Sequence, residues 1–105
     1  ARCPRCSSLL KPDVVFFGEP IPWEAQVSSL KESKACTAVL VIGTSAVVYP
    51  AASIPIMAKE RGAKIIEINM EPTPLTNQIS EYLICGAAGK IVPAIVEEVK
   101  LQTGR

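Results

Sequence analysis

Histidine is missing from this sequence altogether, and aromatic residues make up only 5% of its 105 positions. A chain with no imidazole lacks the side chain most often used as a general base near neutral pH. Charge of one sign is lacking too: 11 Lys and Arg stand against 10 Asp and Glu, a net +1, with the basic residues scattered along the chain. Neutralising a phosphate backbone takes a basic face, so direct nucleic-acid binding is not expected. No apolar run approaches the roughly 18–20 residues needed to span a bilayer, and no membrane partner is expected. The full Gly-x-Gly-x-x-Gly fingerprint is absent as well, which argues against a Walker or standard Rossmann phosphate loop. The opening residues Ala1-Arg2-Cys3-Pro4 match neither a signal peptide nor an initiator methionine, and they read as a cut inside a longer chain.

What is present is a globular composition, 49% hydrophobic and 20% charged, at a length suited to one small domain with a thin stability margin. There are four cysteines, Cys3, Cys6, Cys36 and Cys85. Two share a C-x-x-C turn and two stand alone in apolar surroundings, unlike the denser spacing of a secreted disulfide framework. A reducing interior compartment follows, with the cytoplasm expected and a mitochondrial or nuclear location left open. Cys3-Pro4-Arg5-Cys6 has the knuckle spacing that offers two thiolates to one zinc. A structural site needs four ligands, so the other half is expected upstream of Ala1; a redox pair or two free thiols are the alternatives.

Hydrophobic patterning divides the rest of the chain. Val14 to Phe17 reads as a short buried strand ended by Gly18, and Pro20 and Pro22 keep the next stretch extended. Trp23, Val27 and Leu30 fall at helical spacing. Ala38 to Ile42 is a β-branched apolar run, read as a buried strand. Pro50 opens a helix over Ala51 to Arg61, which Gly62 closes, with Pro55 in its first turn or at a bend. Lys64 to Ile68 is a second buried strand, and a third lies near Tyr82 to Cys85 after a Pro72/Pro74 loop. A last helix, Gly89 to Leu101, places Val92, Ile95, Val96 and Val99 on one face. Apolar strands separated by helices of about ten residues predict βαβ units and a parallel sheet covered on both faces.

Ligands of open parallel sheets bind at the C-terminal strand ends. Gly43-Thr44-Ser45 follows the first of the parallel strands, offering close backbone approach, two hydroxyls and backbone N–H groups to a phosphate or ribose. A plain capped turn is the bland alternative. Asn69-Met70-Glu71 follows the next strand, where an acidic residue often receives ribose hydroxyls; alternatively Asn69 turns the chain and Glu71 is solvated. Two neighbouring strand ends with compatible polar groups favour the functional reading over either end alone.

From Cys3 to about Pro93 the sequence resembles the sirtuins, NAD-dependent protein-lysine deacylases. The resemblance rests on C-P-R-C, K-P-D-V-V-F-F-G-E-P-I-P, V-I-G-T-S-A-V-V-Y-P-A-A, I-I-E-I-N-M-E and C-G-A-A-G-K-I-V-P, five motifs in register. It implies an α/β fold, a Rossmann-like parallel sheet with flanking helices, preceded by part of a small zinc-binding module. Residues 1–13 would end that module, and 14–105 would be the C-terminal part of the NAD-binding domain. Cys3 and Cys6 would be the second pair of four zinc ligands. Gly43, Thr44 and Ser45 would contact the NAD phosphates and ribose, Asn69, Met70 and Glu71 the adenosine ribose, and Ala88 the adenine through its backbone. Val15, Phe16, Phe17, Gly18 and Glu19 would bind an acylated-lysine protein or peptide as an added strand.

The family's first glycine-rich NAD loop, its Gln-Asn-x-Asp segment and its His-Gly motif have no counterpart here. In the family that histidine is the general base in transferring the acyl group from lysine to ADP-ribose with release of nicotinamide. The chain is therefore expected to be inactive alone and to need an N-terminal portion of the same protein. A free-standing nucleotide-binding or interaction module without catalysis is the competing reading. The central sheet of thiamine-diphosphate enzymes is a remote third, lacking a cysteine knuckle followed by V-V-F-F-G-E.

Overall fold

Three apolar runs become strands and three amphipathic or mixed segments become helices in a computed structural model that describes residues 1–104. The elements are α1 (Trp23–Ala35), β1 (Ala38–Ile42), α2 (Ser53–Glu60), β2 (Lys64–Asn69), β3 (Ser80–Cys85) and α3 (Ala88–Thr103). The strands form one parallel sheet in the order β1-β2-β3. Register is set by pairs such as Val41 with Glu67 and Ile42 with Ile68 on one side of β2, and Asn69 with Cys85 on the other. Between Ile65 and Ile66 the pairing slips to pass over Glu81, a bulge that lets β3 start at Ser80, earlier than its apolar run suggests.

The core lies on one face of the sheet, where Val41, Ala58, Ala63, Ile65 and Leu75 cluster with Cys36, Val39, Ala46 and Ile79 packed against them. Ala58 comes from α2, whose Pro55 is buried in the first turn, where its missing N–H leaves no intrahelical bond unmade. Gly62, at φ +93°, turns the chain from α2 into β2. Between β2 and β3 there is no helix; the crossover is a coiled segment that delivers Leu75 to the core and folds back through amides of Gln78, Ile79 and Ser80 donating to the Leu75 carbonyl. α3 packs against β2.

Two expectations need correction. Val14 to Phe17 is no buried strand: it is an exposed extended segment turning at Phe17 and Gly18, with Phe17 93% exposed. Among the described residues nothing pairs with it, and an apolar run becomes a buried strand only when a neighbour supplies hydrogen bonds and cover. The second face of the sheet is covered only over its central strand, where Ile68 is fully buried. Leu40 and Ile42 of β1 and Tyr82 and Ile84 of β3 are exposed, as are Val96 and Val99 on the outer half of α3 and Trp23 and Val27 of α1. No described helix is long and apolar enough to cross a membrane.

Candidate functional site

Because the three strands are parallel and in register, their C-terminal ends come out side by side. The Gly43 amide donates to the Ile68 carbonyl at 2.9 Å, and the Gly86 amide donates to the Asn69 carbonyl at 3.1 Å, so the sheet ladder runs one step into each following loop. Adjacent strands are about 4.8 Å apart, which sets Gly43-Thr44-Ser45, Asn69-Met70-Glu71 and Gly86-Ala87-Ala88 along a single edge. Gly43 has φ +62°, a left-handed turn that swings the chain off the end of β1. The Ala46 amide donates to Thr44 Oγ1 at 3.1 Å, tightening the loop and leaving the Thr44 hydroxyl proton to donate elsewhere. Ser45 is exposed. Asn69 Nδ2 donates to the Glu71 carbonyl at 3.0 Å, holding the second loop close to its strand while Met70 and Glu71 face solvent. Ala88 begins α3, whose first amides have no intrahelical acceptor and point back to the same edge.

Next to this edge lies a groove of about 450 Å³. One wall is Val14 to Glu19 with Ile21, and the other is Val48 to Ala51. The first wall is shaped by a turn in which the Glu19 amide donates to the Phe16 carbonyl at 3.0 Å. Lys11 closes that turn by hydrogen-bonding Glu19 and standing 5.8 Å from the centre of the Phe16 ring. The second wall continues directly from the Gly43-Thr44-Ser45 loop, so edge and groove adjoin. From sequence, Val48 to Ala51 were read only as part of a family motif and the approach to α2, not as peptide-binding residues; an apolar Val47-Val48-Tyr49 run between a strand end and a helix was the available signal.

Cys3 and Cys6 lie in a tight turn at the start of the chain. The Cys3 amide donates to the Ser8 carbonyl at 2.8 Å, the Ser7 amide to the Cys3 carbonyl at 2.9 Å, and the Arg5 amide to Cys3 Sγ at 3.4 Å. Hydrogen bonds from the Ser8 side chain, then its backbone, then Cys3 hold the Cys6 thiol below its ordinary pKa. A thiolate-favouring turn of this kind suits a metal ligand pair. Two thiols make half a tetrahedral set, and among the described residues no cluster of three or more metal-ligating side chains occurs.

Glu67 escaped sequence reasoning completely. It is fully buried in the middle of β2 and its two carboxylate oxygens each accept one hydroxyl, from Thr73 and Thr76. A lone acid inside Ile65-Ile66-Glu67-Ile68 was the signal, since a strand interior rarely takes a charge without partners.

A parallel sheet with polar loops aligned at its strand ends is the Rossmann-like architecture, and this chain has it. Comparison with known proteins carries that further. The Sir2 family model matches residues 1–50. An NAD-dependent protein deacylase 2 of Pyrobaculum aerophilum is 51% identical over 98 residues, covering 93% of this chain and 39% of the relative. A Sir2 structure bound to a myristoylated histone peptide is 47% identical with a TM-score of 0.84, covering 100% of this chain and 45% of that one. A Sir2 homolog–NAD complex is 43% identical with a TM-score of 0.86, covering 97% and 40%. The chain belongs to the Sir2 family. It spans about two fifths of the length of the curated relatives it matches.

Proposed function

We propose that this chain is the C-terminal portion of an NAD-dependent protein-lysine deacylase, supplying cofactor- and peptide-binding parts but no general base. The observation that carries the reading is the alignment of three strand-end loops along one edge adjoining an apolar groove. Gly43, Thr44 and Ser45 take the NAD phosphates and ribose, Asn69, Met70 and Glu71 the adenosine ribose, and the Ala88 backbone the adenine. Val15 to Glu19 and the facing Val48 to Ala51 take an acylated-lysine peptide between them, the peptide adding as an extended strand whose backbone bonds carry little sequence preference. That Sir2 structures similar to this chain hold a myristoylated histone peptide in one case and NAD in another supports both assignments.

Residues 1–13 belong with a small zinc-binding module, with Cys3 and Cys6 as half of a purely structural site, and residues 14–105 with the NAD-binding domain; residue 105 lies outside the described residues. The remaining ligands, the histidine and the other side of the cofactor cleft come from the N-terminal portion of the protein. With no histidine of its own, the chain is inactive alone. A cytoplasmic location goes with the reduced cysteines.

The test is nicotinamide release from NAD in the presence of an acyl-lysine peptide. The longer protein turns over and the isolated chain stays at the blank. Turnover by the isolated chain overturns the inactivity, and a longer protein without NAD-dependent turnover would favour a non-catalytic binding module.

A further inference from the structure

The β2–β3 crossover has to do without a helix, and that makes its polar anchoring conspicuous. Between Asn69 and Ser80 the chain must bury Leu75 in the core while satisfying its own amides. It does so through a closed network. Thr73 Oγ1 donates to one oxygen of Glu67 and accepts the Leu75 amide at 3.1 Å. Thr76 Oγ1 donates to the other oxygen of Glu67 and accepts the Thr73 amide at 2.9 Å. Each hydroxyl has one proton, and both protons are committed to the carboxylate, so their lone pairs are left for the two backbone amides. Only a group accepting at both ends completes this pattern; a glutamine in place of Glu67 would turn an NH2 towards one of the hydroxyls.

This network fixes one end of the segment that begins with Asn69-Met70-Glu71. The other end is fixed by the Asn69 carbonyl in the sheet ladder and by Asn69 Nδ2 on the Glu71 carbonyl. Held at both ends, Met70 and Glu71 have only one course along the strand-end edge. We infer that Glu67, through Thr73 and Thr76, is a positioning residue for the ribose-binding loop, acting from inside the sheet without touching the cofactor. The inference rests on the cofactor reading above and adds a determinant of its affinity.

The test uses the longer protein carrying Glu67→Gln, Thr76→Val and Thr76→Ser, with hydrogen exchange of peptides covering residues 70–79, ADP-ribose binding and steady-state kinetics measured well below the melting temperature. In Glu67→Gln and Thr76→Val, exchange over 70–79 rises while α2 peptides are unchanged. Affinity for ADP-ribose falls about tenfold, equivalent to about 1.4 kcal/mol, and KM for NAD rises while kcat stays within about twofold. Thr76→Ser, which keeps the hydroxyl, recovers most of the affinity lost in Thr76→Val. Faster exchange with unchanged affinity reduces the network to a structural staple and overturns the inference, as does unchanged exchange. A fall in kcat equal to the fall in kcat/KM also overturns it. If the unsubstituted protein binds no ADP-ribose, the cofactor reading itself has failed, which the wild-type titration reveals separately from the variants.

Discussion

Expressed alone, residues 1–105 should self-associate, and the surface of the fold says by how much they are driven to. The accessible surface is 8068 Å² for 11.2 kDa. A compact monomer of that mass exposes about 5,700 Å², leaving an excess of about 2,400 Å². A standard protein–protein interface takes about 800 Å² from each partner, so the excess is roughly three such patches and belongs to the obligate class. The radius of gyration agrees, 17.3 Å against about 13 Å for a compact chain of this length. Much of the excess is apolar: Leu40 and Ile42 on the open sheet face, Phe16 and Phe17 beside the groove, and Trp23 on α1. Among the described residues β1 also pairs with β2 alone, which leaves its other edge free to template a strand. Light scattering behind a sizing column should give masses above 11.2 kDa, with strong binding of a hydrophobic dye. Joining the N-terminal portion should remove both. Leu40→Lys, at a side chain 49% exposed in this fold, should lower the association without lowering helix content. A monodisperse 11.2 kDa particle that melts cooperatively and binds no dye would refute the reasoning.

Three further outcomes follow from local geometry. Gly86→Ala must hold a side chain at φ +154° and also places a Cβ 2.6 Å from Ile91 Cδ1, so it should cost about 1–3 kcal/mol, backbone strain adding to the shift Ile91 has to make. Gly43→Ala meets no atom within 4 Å at φ +62° and should cost only the left-handed backbone, about 1 kcal/mol; urea midpoints of the longer protein compare them, and a Gly86→Ala midpoint no lower than that of Gly43→Ala contradicts the larger cost. Ser8→Ala removes the largest cause of the low Cys6 pKa, so the pH midpoint of Cys6 alkylation in metal-free protein should move up, and superimposable profiles would count against the turn. Lys59 hydrogen-bonds Glu81 at 3.0 Å and holds its carboxyl below the ordinary value. A depressed carboxyl stabilises the fold above its unfolded pKa and loses that effect as pH falls through the folded one. Lys59→Met should therefore be slightly less stable than wild type at neutral pH and converge with it in acid, the effect staying small because the pair is exposed; divergence in acid contradicts it.

β1 and β2 were legible in the sequence because their β-branched runs end at turn residues, and two such runs joined by a helical segment have one economical arrangement, as parallel neighbours. That arrangement also made the strand ends legible: once β1 and β2 are parallel neighbours, Gly43 and Asn69 must emerge together. Val14 to Phe17 misled for the complementary reason. Apolar content marks a segment that seeks cover, and here its neighbour is a groove. Val48 to Ala51 became a groove wall only when the turn after β1 brought them across from Phe16.

Sequence by itself determined the element types, the parallel sheet and the family, since periodicity, punctuation and short motifs are local properties of the chain. Only the tertiary structure decided that Glu67 is buried and shared between two threonines, and that one sheet face is covered over β2 but open at β1 and β3. Those facts depend on which distant segments meet, and a one-dimensional pattern records no distances between its parts.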